Sequence, residues 1–250
     1  MTKNIQVSAA IIIIGNEILS GRTKDINTST IATWLNKLGV RVQEVRVIPD
    51  IEEVIVKTIN EVRKKNTYVF TTGGIGPTHD DITAVSISKA FRLKYEINKE
   101  AFKILEAYYK PGEFNEGRQK MAWTPANAKL ILNPTSGAPG FIVKNVFCLP
   151  GVPSILKSML GGLKNKISGG KPIISHTINL RTVESEIAKS LTSVQNKNKD
   201  VEIGSYPFFR AGKLGVSIVV RSENQSKIDD CNSQIMEFVS QKKIEIIKDN

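Results

Sequence analysis

The chain is predicted to be α/β: a three-layer, doubly wound, mostly parallel sheet, followed by a smaller α+β domain. Three observations predict this. Apolar, β-branched runs alternate with stretches of helical period over residues 7–91. The connections between them are short, as in parallel sheets with crossover helices. Past Ser168-Gly169-Gly170-Lys171-Pro172, a linker-like stretch, the order becomes β-α-β-β-α-β, which is the ferredoxin-like order. The expected domains are therefore 1–168 and 172–250.

Residues 7–14 read as a buried parallel strand, continuous in apolar residues and ended by Gly15. A helix over 28–38 presents Ile31, Trp34, Leu35 and Leu38 on one face, and Gly39 is placed to stop it. In the strand 40–48 the alternation changes phase between Val42 and Val45, which predicts a bulge. A helix over 51–65 buries Ile51, Val54, Ile55, Ile59 and Val62. Tyr68-Val69-Phe70 then leads into a Gly-rich loop and a helix over 81–91.

The middle is less regular. Asn98 is placed to cap a helix carrying Phe102, Leu105 and Tyr109, broken by Pro111-Gly112, and a short helix follows over 113–122. Leu130–Leu132 is a short strand, and 141–143 with 146–149 form a hairpin turning at Lys144-Asn145. Pro153 suits the first turn of a helix running to about 166. In the second domain the expected elements are strand 173–180, helix 183–196, strands 201–206 and 213–220, helix 226–241 and strand 244–248.

Composition narrows the function classes. In 250 residues, 40% are hydrophobic and 24% charged, which is ordinary globular usage. Val7–Ile14 is too short to span a bilayer and lacks a signal-peptide layout, so no membrane role is expected. Cys148 and Cys231 give neither a disulfide framework nor metal-type spacing, and a cytoplasmic setting is expected. The net charge of +11 is spread without a dense basic run or a nucleic-acid motif, so no nucleic-acid partner is expected. It remains suited to an anionic small molecule.

The stretch Thr71-Thr72-Gly73-Gly74-Ile75-Gly76-Pro77-Thr78-His79-Asp80-Asp81 carries the strongest chemical signal. It has no Gly-Lys-Ser/Thr ending and no third glycine of the dinucleotide fingerprint. It still offers close backbone approach at Gly73, Gly74 and Gly76, a hydroxyl at Thr78, and a helix start where anions bind. Asp80 and Asp81 are candidates for a divalent metal, one of them also being placed to cap the helix. His79 is a candidate acid/base group or an ordinary loop residue. Asp50 stands three residues before Glu53, as in a capping box, yet lies on the same sheet edge as the Gly-rich loop. Gly15, Asn16, Glu17, Asp25 and Asn27 leave the first strand at that edge, as ligand-binding groups or as a polar loop with a cap. Ser136 and Gly137 belong to a further loop able to hold an anion.

Together, Ile14–Gly21, Asp25-Ile26-Asn27, Val47–Asp50, the 72–83 loop, 134–140 and Leu149–Pro153 resemble the MoaB/Mog-type molybdopterin-binding fold. The likeness is greatest to CinA amino-terminal domains and to the molybdopterin-binding-like domain of eukaryotic FAD synthases. Gly204-Ser205-Tyr206-Pro207 resembles the second domain of the latter. The resemblance implies Asp50 and Asp81 as catalytic residues and a divalent metal (Mg, Mn or Co) as cofactor. It implies either a nucleotide pyrophosphatase acting on ADP-ribose, FAD or a similar molecule, or molybdopterin binding and adenylylation. A non-catalytic ligand-binding module is the third expectation. It also implies a homo-oligomer, a dimer ahead of a trimer. The chain lacks the deamidase domain of full-length CinA and the FAD-forming domain of the eukaryotic enzyme, so neither of those activities is expected.

Overall fold

The computed structural model describes residues 7–210 and 212–247, and the chain divides into two compact units, Met1–Gly170 and Lys171–Asn250. The predicted domain ends at 1–6 and 248–250, including the last residue of the expected strand 244–248, lie outside the described residues.

The first unit is built on a six-stranded sheet in the order β2-β1-β3-β8-β7-β6. Its strands are β1 (Ser8–Ile14), β2 (Arg41–Ile48), β3 (Tyr68–Thr72), β6 (Lys129–Ile131), β7 (Gly140–Val143) and β8 (Val146–Leu149). β1 pairs in parallel with β2 and β3, and β3 with β8; the β7–β8 hairpin adds the antiparallel edge. Lys144 turns that hairpin with φ 51°. The register skips Gln43, pairing Ala9 with Val42 and Ala10 with Glu44, so the bulge falls where the alternation changed phase.

The three layers follow from the period of two in β1. Ala9, Ile11 and Ile13 pack with Ile31 and Leu35 of α2 (Asn27–Lys37) and Leu156, Met159 and Leu160 of α7 (Pro153–Leu160). Ala10, Ile12 and Ile14 pack on the other face with Ile55, Ile59 and Val62 of α3 (Glu52–Val62) and with Ile87 of α4 (Thr83–Phe91). A strand buried on both faces reads as a near-continuous apolar run, and every residue of β1 is buried, Ser8 at its start being the one polar residue in it. Each isoleucine there contributes about 1.5–3 kcal/mol by leaving water.

Between α4 and β6 the chain forms β4 (Tyr95–Ile97), α5 (Lys99–Tyr108), α6 (Glu116–Lys120) and β5 (Trp123–Pro125). Asn98 caps α5, its Oδ1 accepting from the amides of Glu100 and Ala101. A short α1 (Asn16–Leu19) follows β1, and a 3₁₀ turn at Gly161–Lys166 ends what was expected to be one helix to 166.

The second unit carries β9 (Ile174–Leu180), α8 (Glu184–Lys197), β10 (Glu202–Arg210), β11 (Lys213–Ser222), α9 (Gln225–Gln241) and β12 (Ile246–Ile247). The sheet order β10-β11-β9-β12 and its antiparallel pairings are those of the ferredoxin-like arrangement. Ile178, Leu180, Val216, Ile218 and Val220 face Ile187 of α8 and Ile228, Cys231 and Ile235 of α9. His176 is exposed on β9, opposite Val220.

Candidate functional site

The parallel register gathers the site. Ile14 stands beside Ile48, Ile13 beside Thr72, and Thr72 beside Leu149, so four strands end at one edge. Their loops surround a hollow of about 560 Å³, lined by Glu17, Asp50, Gly73, Gly74, Gly76, Asp80, Asp81 and Ser136 among others. This is the carboxyl edge of an open α/β sheet, where ligands bind, and the volume is that of a small-molecule pocket.

The Gly-rich loop owes its course to backbone that only glycine tolerates. Gly73 has φ 103°, and a Cβ there would sit 2.1 Å from the carbonyl oxygen of Ile14. Its amide continues the parallel ladder, donating to Leu149 O at 3.1 Å, so Gly73 shapes the loop and has no amide left for a ligand. The amides of Gly74, Ile75 and Gly76 donate to no protein group among the described residues, and these three line the hollow. They are the bare nitrogens a phosphate would meet.

Neither aspartate caps α4. The helix starts two residues later than expected, at Thr83 after Ile82, without a side-chain cap. Both carboxylates turn to Thr78 instead. Thr78 Oγ1 lies 2.5 Å from Asp80 Oδ1 and 2.6 Å from Asp81 Oδ2, and the Thr78 amide donates to the same Asp81 oxygen at 2.8 Å. These bonds occupy the amide and hydroxyl expected to hold phosphate. The Thr78 hydroxyl holds the Asp80 carboxyl below the usual carboxylate range, with smaller help from its own backbone amide, His79 and Lys120. His79 is exposed and is not among the lining residues.

Asp50 does not form the capping box either. α3 begins after Ile51 without a side-chain cap, and Asp50 Oδ2 accepts from the amide of Asn16 at 2.9 Å. That bond ties the loop after β2 to the loop after β1 and leaves the other Asp50 oxygen to the hollow. Gly15 donates its amide to Ile48 O at 3.1 Å, so Gly15 and Asn16 hold the edge together rather than offering free amides.

Asp25, Asn27 and Glu17 line a smaller adjoining recess of about 60 Å³, together with Thr72, Gly73 and Gly151. Asp25 Oδ1 accepts from the amides of Asn27 and Thr28 at 2.8 and 3.3 Å, so it serves the start of α2. Asn27 is buried, and its Nδ2 donates to Thr72 Oγ1 at 2.9 Å and to Gly151 O at 2.8 Å. It fastens α2 to β3 and to the loop after β8. Ser136 reaches the hollow, whereas Gly137, at φ 73°, packs against Tyr108 and is not among the lining residues. A lining residue absent from the sequence-based candidates is Asn133, whose Oδ1 accepts from the amides of Thr135 and Ser136. The Asn-Pro-Thr-Ser sequence is the local signal for such a turn.

Metal fit is decided by the donor set. Among the described residues, no group of three or more His, Cys, Asp and Glu side chains is placed to hold an ion. A small hard cation does not require one: Mg²⁺ keeps several waters and is commonly held by one or two carboxylates plus substrate phosphates. The Asp80–Thr78–Asp81 group suits such a cation. The hydroxyl has one proton for two carboxylates, so one carboxylate faces an oxygen lone pair at close range. A neighbouring positive charge favours that arrangement.

Fold and site together define an α/β protein with a carboxylate-lined hollow of small-molecule size at the carboxyl edge of its sheet. Residues 10–168 match the family described as a probable molybdopterin binding domain, and residues 172–248 match the FAD synthase middle domain. The chain belongs to the molybdopterin-binding domain family, here joined to a domain of the FAD synthase middle type. A protein of Archaeoglobus fulgidus is 32% identical over 234 residues, 93% of this chain and 98% of its own length. A protein of Pyrobaculum calidifontis is 35% identical over 211 residues, 80% of each chain. The crystal structure of CinA, a protein of unknown function from Thermoplasma acidophilum, superposes with TM-score 0.60 and 30% identity over 64% of this chain and 96% of that one. Among the described residues no helix is long and apolar enough to cross a membrane.

Proposed function

We propose that the first unit is a divalent-metal-dependent nucleotide pyrophosphatase acting on ADP-ribose, FAD or a similar nucleoside diphosphate derivative. The observation that carries this reading is one hollow that combines the bare amides of Gly74, Ile75 and Gly76 with the carboxylates of Asp50, Asp80 and Asp81. The amides suit a phosphate; the carboxylates suit the ion that accompanies it and a proton acceptor for water.

In this reading the loop amides hold the diphosphate, and Ser136 Oγ gives a further polar contact. Asp81, with Asp80, would hold the metal, which supplies Lewis-acid stabilisation of charge on the phosphate oxygens. Asp50 lines the same hollow with one oxygen anchored on the Asn16 amide, which fixes its orientation. Its free oxygen takes a proton from the attacking water. The water oxygen bonds to one phosphorus, the bridging P–O bond breaks, and the bridging oxygen leaves on the second phosphate.

The test is a substrate-by-metal screen of dinucleotides with Mg²⁺, Mn²⁺ and Co²⁺, comparing wild type with Asp81→Asn. Asp81→Asn is expected to lower turnover by about 10²-fold or more, the range for losing a positioned acid/base or metal-holding carboxylate. Wild-type protein that leaves every dinucleotide intact refutes the reading.

A second reading, molybdopterin binding and adenylylation, is favoured by the description of the family that residues 10–168 match. It is separated from the first by ATP-dependent adenylylation of molybdopterin. The match of residues 172–248 to a flavin-enzyme domain puts the dinucleotide reading first.

A further inference from the structure

The hollow has a charge problem. Its lining includes four carboxylates, Glu17, Asp50, Asp80 and Asp81, and among the described residues no lysine, arginine or histidine lines it. A phosphate anion entering such a space meets like charge from several sides. Long-range attraction to a basic chain does not remove this, because exposed charges are screened over about 8–10 Å.

A cation fixed on the loop comes from α6, a segment that local motifs did not point to. Lys120 Nζ donates to the main-chain carbonyl of Thr78. Lys120 also lines a small cavity directly behind the loop, with Gly74, Gly76, Asp81, Met121 and Trp123. Gly74, Gly76, Asp81 and Met121 line the main hollow as well, so the two spaces share a wall. The side chain is half-buried and makes no close ion pair among the described residues, so its charge is directed at this loop.

Resting on the nucleotide reading above, we propose that Lys120 is the phosphate-recognising cation of the site. Its ammonium, held on the Gly-rich loop by the Thr78 carbonyl, attracts the ligand's phosphate electrostatically across the wall that the two spaces share. It thereby offsets the carboxylates that the metal alone must otherwise neutralise. The class of ligand recognised is a phosphate ester or anhydride; the uncharged nucleoside gains nothing from this group.

The experiment is calorimetric titration of the full chain and its Lys120→Gln and Lys120→Arg variants with ADP and with adenosine, with and without Mg²⁺. The substituted side chain is half-buried on a short helix, and unchanged Trp fluorescence checks the fold. Lys120→Gln is expected to weaken ADP binding by about 10-fold, the size of one partly buried charge acting at short range. The loss should be greater without Mg²⁺, smaller in Lys120→Arg, and absent for adenosine. ADP binding by Lys120→Gln within about 2-fold of wild type overturns the inference while leaving the nucleotide reading intact. Equal loss of ADP and adenosine also overturns it, because Lys120 then only props up the loop. Wild-type protein that binds neither ADP nor any intact dinucleotide removes the nucleotide reading and this inference with it.

Discussion

Gly73→Ala tests the geometry on which the site depends. The residue is at φ 103°, and an alanine Cβ would fall 2.1 Å from the carbonyl oxygen of Ile14, inside the parallel ladder. Two penalties add. An L-residue forced to positive φ costs about 1–2 kcal/mol. The overlap is with backbone that is hydrogen-bonded in a buried strand, so the loop must shift and the Gly73–Leu149 bond weaken, a further loss of about 1–2 kcal/mol. The expected total is about 3 kcal/mol, equivalent to about 6–12 °C in Tm for a unit of this size. Gly21→Ala is the internal control: its φ is 73°, but nothing lies within 4 Å of the added Cβ. It should show the torsional part alone, about 1–2 kcal/mol. The assay is urea unfolding followed by tryptophan fluorescence. Trp34 and Trp123 both lie in the unit Met1–Gly170, so the signal reports on the unit that carries the site. If Gly73→Ala and Gly21→Ala differ by less than about 0.5 kcal/mol, the size of a neutral surface change, the close approach of this loop to β1 is refuted.

Asn27→Ala leaves Gly151 O and Thr72 Oγ1 without their donor in a buried setting; a loss of about 2–3 kcal/mol is expected in the same unfolding assay, with weaker ligand binding because two loops come loose. Cys148 is fully buried, which pushes its thiol up to about 12, so a thiol reagent at pH 8 should reach it only on unfolding. The unfolded thiol ionises near 8.5 while the folded one keeps its proton, so the Cys148 contribution is whole below about pH 8.5 and falls by up to about 1.4 kcal/mol per pH unit toward 12. Urea midpoints at pH 8 and 10 should therefore drop more in wild type than in Cys148→Ala; equal drops refute the assignment.

What was legible in the sequence was whatever depends on near neighbours. The buried strand β1, the hairpin at Lys144, the cap at Asn98 and even the bulge opposite Ala9–Ala10 follow from spacing within a few residues. The ferredoxin-like order followed from element types alone. Roles set by distant partners were read differently. Asp50 has the spacing of a capping box, but the amide of Asn16, 34 residues away, claims its carboxylate. Gly73 looked like a phosphate contact, but Leu149 takes its amide across the sheet. Thr78, Asp80 and Asp81 form a closed group with one another, so none of them caps α4. Lys120 gave no local signal because its meaning lies wholly in Thr78, 42 residues earlier in the chain.

These differences have one physical source, and it bears on how the site works. A parallel sheet brings four strand ends to one edge, and each loop must satisfy its own backbone groups before it can serve a ligand. At Gly15, Asn16 and Gly73 the amides go to Ile48, Asp50 and Leu149, which welds the rim into a rigid frame. The apex, Gly74–Gly76, keeps bare nitrogens, and it is held in place from below by Thr83 Oγ1 donating to Gly73 O and the Thr83 amide donating to Gly74 O, both at 2.9 Å. A rigid rim with an unsatisfied apex is pre-organised for an anion, because little conformational freedom remains to be lost on binding. The surrounding carboxylates then make recognition conditional: an anion binds well only when a cation comes with it or stands ready in the wall. On the proposed nucleotide reading, selectivity for phosphate-bearing ligands thus rests less on the number of glycines than on which amides the sheet leaves unpaired.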